Sequence, residues 1–372
     1  MKITGGKVFD LQKGFVERDV CFDGSLLTPD SREGKTYDAA GCWVIPGLTD
    51  VHFHGCVGAD LSDGDPDGLQ AMAEYELSRG VTQICPAGMT LLEDRLLKVC
   101  RTAAAHRREN RPGADLAGVN LEGPFLSYAK RGAQNGEWLH APDVAMLRRL
   151  MDAAEGLVKL VSVAPEEPGA MEFISQAAED VNVAVAHTTA DYDTALEAFR
   201  RGARQVTHLF NAMPNFTHRA PGVVGAALDS PWSRVELICD GIHIHPSVVR
   251  AVFKMFGPDR VVLISDTMRA AGMTDGKYDL GGQEVTVKGP LATLADGTIA
   301  GSVTDLMACL KTAVSFGIPL ADAVRAAAVN SAQAIGVFDR VGSLEPGKRA
   351  NVVVLDGELN VKNVFFHGKQ VV

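Results

Sequence analysis

Two histidines one residue apart, His52 and His54, close an apolar run in the stretch Asp50-Val-His-Phe-His-Gly55. On a β-strand, residues i and i+2 project to the same side. The two imidazoles would therefore share one space, about a ligand's width apart, and a divalent cation would use such a pair. Comparable residues recur where other apolar runs end. Val119-Asn-Leu-Glu-Gly-Pro delivers Glu122, Val183-Ala-Val-Ala-His delivers His187, and Gln205-Val-Thr-His delivers His208. Leu237-Ile-Cys-Asp-Gly-Ile-His supplies Asp240 and His243, and Val262-Leu-Ile-Ser-Asp supplies Asp266.

Each residue alone has a plainer reading. A strand-end histidine is commonly a buried polar group satisfied by a hydrogen bond. Glu122 alone could be half of a buried ion pair, and Asp266 alone a helix cap. Their concentration at strand ends points elsewhere. Imidazole and carboxylate ligands together suit Zn²⁺, Fe²⁺ or a similar ion. Glu122, His187 and His208 could hold one metal and leave a position open for water. Asp266 could take a proton from that water and pass it to a leaving amine. The chemistry so read is metal-assisted hydrolysis. His106, His140 and His367 read as surface residues, and His245, before Pro246, as the head of a helix. A rival design bridges two ions with a carbamylated lysine. Its candidate, Lys159, stands at the start of its strand and should face the wrong end.

These residues need elements to position them. Apolar strands are predicted at 43–51, 81–86, 115–121, 157–164, 181–186, 204–209, 235–239 and 260–265, most followed by helical periodicity. Eight such units predict an α/β fold, a parallel (β/α)8 TIM-like barrel, whose chemistry sits where strands end. A Gly/Asp-rich, hairpin-like insertion covers 270–300, and helices are predicted at 303–316 and 320–335. Residues 1–44 and 344–372 return to short strand alternation. They should pair into one small domain beside a barrel spanning 45–343.

Bulk properties narrow the function. The 372 residues carry a net charge of −10, which argues against nucleic-acid or membrane-surface partners. No apolar run is long enough for a membrane span. The N-terminal residues lack a signal-peptide apolar region. Seven scattered cysteines without a C-x-x-C spacing read as reduced thiols of a cytoplasmic protein.

The motifs resemble the amidohydrolase superfamily, and within it the N-acetylglucosamine-6-phosphate deacetylase family. The resemblance rests on Pro46-Gly-Leu-Thr-Asp-Val-His-Phe-His-Gly, Leu121-Glu-Gly-Pro-Phe, Thr207-His-Leu-Phe-Asn-Ala-Met, Arg219-Ala-Pro-Gly, Asp240-Gly-Ile-His, Ser265-Asp-Thr and Ala300-Gly-Ser. It runs over nearly the whole chain. It implies a barrel with a small β-sandwich built from both termini, and removal of the acetyl group from N-acetylglucosamine 6-phosphate. It implies a metal triad of Glu122, His187 and His208 with Asp266 as the catalytic residue. Substrate contacts would fall on Ala133, Gln134, Asn211, Ala212, Arg219, His243, Ile299, Ala300 and Gly301. The intact His52/His54 pair allows a second Zn or Fe ion bridged by Glu122. Some members carry a histidine where Gln134 stands, to polarise the acetyl carbonyl; Gln134 could offer only an amide N–H. Members are homodimers in which the arginine at position 219 reaches the neighbouring active site. The alternatives are the galacto epimer of the substrate, or a cyclic amide as in dihydroorotases and hydantoinases.

Overall fold

In the computed structural model, residues 1–30 and 34–372 are described. Eight short parallel strands form the centre: β1 Leu48–Asp50, β2 Val81–Ile84, β3 Val119–Phe125, β4 Val158–Val163, β5 Asn182–Val185, β6 Gln205–Val206, β7 Arg234–Ile238 and β8 Val261–Ile264. β1 pairs with β2, and β3 through β8 pair in sequence order. The bridge between the two sheets is Ala87–Gly88, just after β2, which pairs with Asn120 and Leu121 of β3. The circle closes between the ends of β8 and β1. There the Asp266 N–H donates to the His52 carbonyl at 2.9 Å, and the His54 N–H donates to the Thr267 carbonyl at 2.7 Å. The closing bonds thus involve three of the residues singled out for chemistry.

Every β3 residue is buried, as expected of a strand covered on both faces. Successive strand residues alternate between two apolar clusters. Leu237, Leu263 and Val161 pack toward the surrounding helices. Leu160, Ile238, Val262 and Ile264 meet Ile335, Val337 and Val341, which fill the barrel beneath its reactive end. Helices start where their sequences supply caps. Asp65 accepts from the Asp67 and Gly68 N–H groups ahead of Pro66–Ser78, and His245 accepts from the Ser247 N–H ahead of Pro246–Phe256. His245 is therefore the helix head that its position before proline predicts.

The run predicted as one strand over 43–51 is two. Trp43–Pro46 pairs antiparallel with Val352–Leu355 and parallel with Lys7–Val8, in a six-stranded sheet made from both termini. Leu48–Asp50 opens the barrel. The break falls at Gly47, where an added Cβ would lie 2.3 Å from the Thr82 hydroxyl. A second sheet of four strands, all before residue 39, shares an apolar core with the first. Phe22 of one sheet meets Phe365 of the other edge-on, with ring centroids 5.5 Å apart.

The 270–300 insertion is a three-stranded antiparallel meander, Gly276–Leu280, Gln283–Lys288 and Leu291–Thr293. Its Leu280, Val285 and Ala292 pack with Met89, Met268 and Ala300, which holds the 294–301 loop beside the end of β8. Two surface assignments need correction. His106 is buried, with its Nε2 3.1 Å from the Gln70 side chain. His367 is half-buried and lies 2.9 Å from the Asp115 carboxylate, which also takes an Arg349 N–H at 2.6 Å. Periodicity could not show either contact, because both partners are distant in sequence. Among the described residues, no helix is long and apolar enough to cross a membrane. All seven cysteines are buried and free.

Candidate metal centre and active site

Six residues converge, five just past the ends of β1, β5, β6 and β8 and the sixth, Glu122, within β3. Glu122 stands at their middle. Its Oε1 lies 3.2 Å from His187 Nε2 and 2.9 Å from His208 Nε2, and those two nitrogens are 3.1 Å apart. Its Oε2 lies 3.2 Å from His54 Nε2. Asp266 Oδ1 is 3.3 Å from His54 Nε2 and 3.7 Å from His52 Nε2. Ligand atoms of Glu122, His187 and His208 form one group able to surround a cation, and those of His52, His54 and Asp266 form another. For bonds of roughly 2.0–2.1 Å, ligands around a tetrahedral ion stand about 3.3 Å apart, and the separations in both groups are close to that.

Three of these residues sit at left-handed backbone angles that non-glycine residues avoid: His187 at φ 42°, His208 at φ 28° and Asp266 at φ 51°. Each such angle costs on the order of 1–3 kcal/mol and persists only where the surroundings enforce it. The turn bends the chain sharply at the strand end, and all three side chains face the cluster around Glu122 and His54.

The rings are held from behind. His54 Nδ1 lies 3.1 Å from the Ala87 carbonyl, and His187 Nδ1 lies 2.9 Å from the Lys130 carbonyl. His52 Nδ1 instead meets the Glu236 carboxylate at 2.9 Å. With Nδ1–H spent as a donor, Nε2 keeps its lone pair toward the cluster. Among the described residues, His52 Nε2 is fully buried and has no hydrogen-bond partner, and a cation there would satisfy it. The donor set and its geometry fit a divalent ion.

The electrostatics agree. Burial opposes charge on His54, but hydrogen bonds and charge from Asp266 and Glu122 outweigh it and push the ring up to about 10. Burial likewise opposes charge on His52, and the Glu236 and Glu122 carboxylates raise it well above the usual imidazole range. Burial alone would raise Glu122, yet the surrounding histidines hold it well below the carboxylate range. Asp266 is also lowered, its burial offset by His54 and His52. Carboxylates that draw protons onto these rings draw divalent cations by the same attraction, and the two compete for the same lone pairs.

The cluster opens into a cavity of about 570 Å³, a size suited to a small ligand. Of the residues expected at the substrate, Ala133, Gln134, Asn211, Ala212, His243, Ile299 and Gly301 line it, together with His54, Glu122, His187, His208 and Asp266. Ala300 is fully buried behind its neighbours. Arg219 does not line the cavity; it is exposed on the 214–220 loop. Gln134 is turned to the cluster: its Nε2 donates to Glu122 Oε2 at 2.6 Å, and its Oε1 accepts the Thr90 N–H at 2.7 Å. The Asp240 carboxylate holds His243 Nδ1 at 2.7 Å. Hydrogen bonds and charge from Asp240 overcome the penalty of burial and raise that ring above its ordinary value. Lys159 lies at the start of β4 and donates to the Gly156 carbonyl at 3.0 Å, away from the cluster.

Sequence reasoning missed Glu236, Lys130 and Arg131. Glu236 could have been noticed as a lone acid inside the apolar strand Val235-Glu-Leu-Ile. Lys130 and Arg131, a basic pair just before Ala133 and Gln134, supply positive charge at the cavity wall.

Residues 43–371 match the family model described as "Amidohydrolase family". The chain belongs to the amidohydrolase family, whose members are metal-dependent hydrolases. It is 37% identical over 323 residues to the N-acetylglucosamine-6-phosphate deacetylase of Bacillus subtilis, covering 86% of this chain and 82% of that one. It is 34% identical to the N-acetylgalactosamine-6-phosphate deacetylase of Escherichia coli, covering 88% and 87%. Among solved structures, the N-acetyl-D-glucosamine-6-phosphate deacetylase of Mycobacterium smegmatis, a mutant in complex with N-acetyl-D-glucosamine-6-phosphate, superposes with a TM-score of 0.93 at 33% identity. That match covers 100% of this chain and 99% of the other.

Proposed function

We propose that this chain hydrolyses the N-acetyl group of N-acetylglucosamine 6-phosphate, giving glucosamine 6-phosphate and acetate. The observation that carries the reading is Glu122, of one donor group and within 3.2 Å of His54 in the other, lining a ligand-sized cavity with Asp266. Glu122, His187 and His208 would hold one Zn²⁺ or Fe²⁺, and His52, His54 and Asp266, beside Glu122, would hold a second. Bound there, a divalent ion polarises the acetyl carbonyl and makes water a nucleophile near neutral pH.

The chain's own residues do the rest. Asp266 accepts the proton of the attacking water and returns it to the departing sugar nitrogen. The second Gln134 amide hydrogen and the His243 ring are the donors nearest to hand for the developing oxyanion. Asn211 and the Ala212 backbone, with Lys130, Arg131 and His243, supply donors for the sugar and its phosphate. Ile299 and Gly301 bound the cavity on the insertion side.

We read the two terminal sheets as a small β-sandwich formed from 1–44 and 344–372 beside a barrel of 45–343. A homodimer would put the exposed Arg219 to use in a neighbouring cavity. Buried, unpaired cysteines suit a reducing cytoplasm.

The galacto epimer is a second substrate to test, given the relative of that name. A cyclic amide is disfavoured, because Lys159 cannot bridge ions from the far end of β4. Acetate release from both epimers and from a cyclic ureide, with metal analysis of the same preparation, tests the reading. Release from neither amino sugar overturns it.

A further inference from the structure

Glu236 takes no direct part in the chemistry above, yet it is fully buried on β7 and has every oxygen engaged. Oε2 lies 2.9 Å from His52 Nδ1 and accepts the His208 backbone N–H at 3.2 Å. Oε1 accepts from the Gln205 side chain. A carboxylate has only acceptors to offer, so the His52 contact requires the ring to carry its proton on Nδ1. That fixes the tautomer, and the unpartnered Nε2 is left facing Glu122 at 3.4 Å and Asp266 at 3.7 Å.

The other histidines of the cluster are held differently. Backbone carbonyls face Nδ1 of His54 and His187, while His208 Nδ1 has no partner among the described residues. A carboxylate behind the ring makes its far nitrogen a stronger donor than a neutral carbonyl does. Gln205, in turn, keeps Glu236 from rotating away.

We propose that Glu236 is the positioning residue that prepares His52 as a ligand, and so gives the His52–His54–Asp266 group its capacity for a cation. This rests on the two-cation reading above. Without the carboxylate, His52 can turn or change tautomer and place an N–H where a lone pair is needed. His54 and Asp266 alone then make a weak site. The Glu122–His187–His208 group keeps all three side chains and is affected only through the His208 backbone.

The test measures metal binding rather than turnover. Apo protein is titrated with Zn²⁺ by calorimetry and with Co²⁺ by visible absorption, for the native chain and for Glu236→Gln and Glu236→Ala. Thermal unfolding of each apo protein is measured alongside. The expected result is two equivalents for the native chain. In the variants one equivalent is retained and the other weakened by about 10–100-fold, the usual effect of losing such a partner. Glu236→Gln keeps the size of the side chain and one acceptor oxygen, so it should fold and show the smaller loss. Two unchanged equivalents in a folded Glu236→Ala, or in Glu236→Gln if the alanine variant does not fold, overturn the role of Glu236. Equal weakening of both equivalents overturns it too. A single equivalent in the native chain overturns the two-cation reading itself, and the proposal with it.

Discussion

Glu122 is a buried acid whose Oε1 faces the His187, His208 and His52 rings and whose Oε2 faces His54, and the cluster is built outward from it. Asp266 is reached by His54 and His52 and stands over the same space. Replacing its carboxylate with an amide removes the proposed proton acceptor while preserving shape. Asp266→Asn should therefore lower kcat for acetate release by about 10²–10⁴-fold, with thermal stability close to native. Turnover near the native rate in a folded Asp266→Asn protein would remove Asp266 from the proton path. At this scale the sequence was informative wherever a polar residue ends an apolar run. It was silent about Glu236, because a single acid in a strand does not disclose which ring it will face across the barrel.

At the scale of elements, the decisive local event is the break at Gly47. One apolar run feeds two sheets because the chain passes close against Thr82, and the Gly47 N–H donates to the Asn351 carbonyl at 2.9 Å. Gly47→Ala would drive a methyl group into that contact and should destabilise the protein by about 1–3 kcal/mol. Chemical denaturation would measure this, and an unchanged midpoint would show that Thr82 can yield. The segment just after the insertion matters for a different reason. The Ser302 N–H donates to the Asp266 carbonyl at 2.7 Å, and the Met268 N–H donates to the Ser302 carbonyl at 2.9 Å. The backbone beside Asp266 is thereby braced by a segment that the eight-unit pattern does not require. Strand and helix positions were largely readable, since buried parallel strands are short apolar runs. Only contacts revealed that 43–51 divides.

For the whole molecule, the terminal sheets and the barrel meet at Asp115. Gln83, Arg349 and His367 all donate to one of its oxygens. Burial would raise this carboxyl, but hydrogen bonds from His367 and Gln83 and the nearby positive charges hold it below its ordinary value. A carboxyl depressed in the folded state contributes stability above its unfolded value and loses it as pH falls through the folded one. Acid should thus weaken this junction below about pH 4. Asp115→Asn should cost about 1.5–3 kcal/mol at neutral pH, the loss of charge-assisted hydrogen bonds, and flatten the acid limb of stability. Denaturant midpoints across pH would test both, and a parallel acid limb in the variant would exclude Asp115 as its source. Arg219 poses the question of assembly, because it is exposed and away from its own cavity. Arg219→Ala should raise KM for the 6-phosphorylated sugar by about tenfold, the loss of one charge-assisted contact, and change KM for the unphosphorylated sugar little. Equal effects on the two would take it out of phosphate binding.

The sequence by itself determined the kinds of element, the order of the strands and which side chains stand at their ends. These follow from local periodicity and from runs of apolar residues, and the motif resemblance led to the right family. Tertiary structure alone decided that Glu122 faces both histidine groups, that Gln134 turns to Glu122, that Glu236 backs His52, that His106 is buried and that His367 is half-buried against Asp115. Each is a contact between strands or loops far apart in the chain. Which atom meets which is set by barrel closure and backbone angle, and neither leaves a local trace in the order of residues.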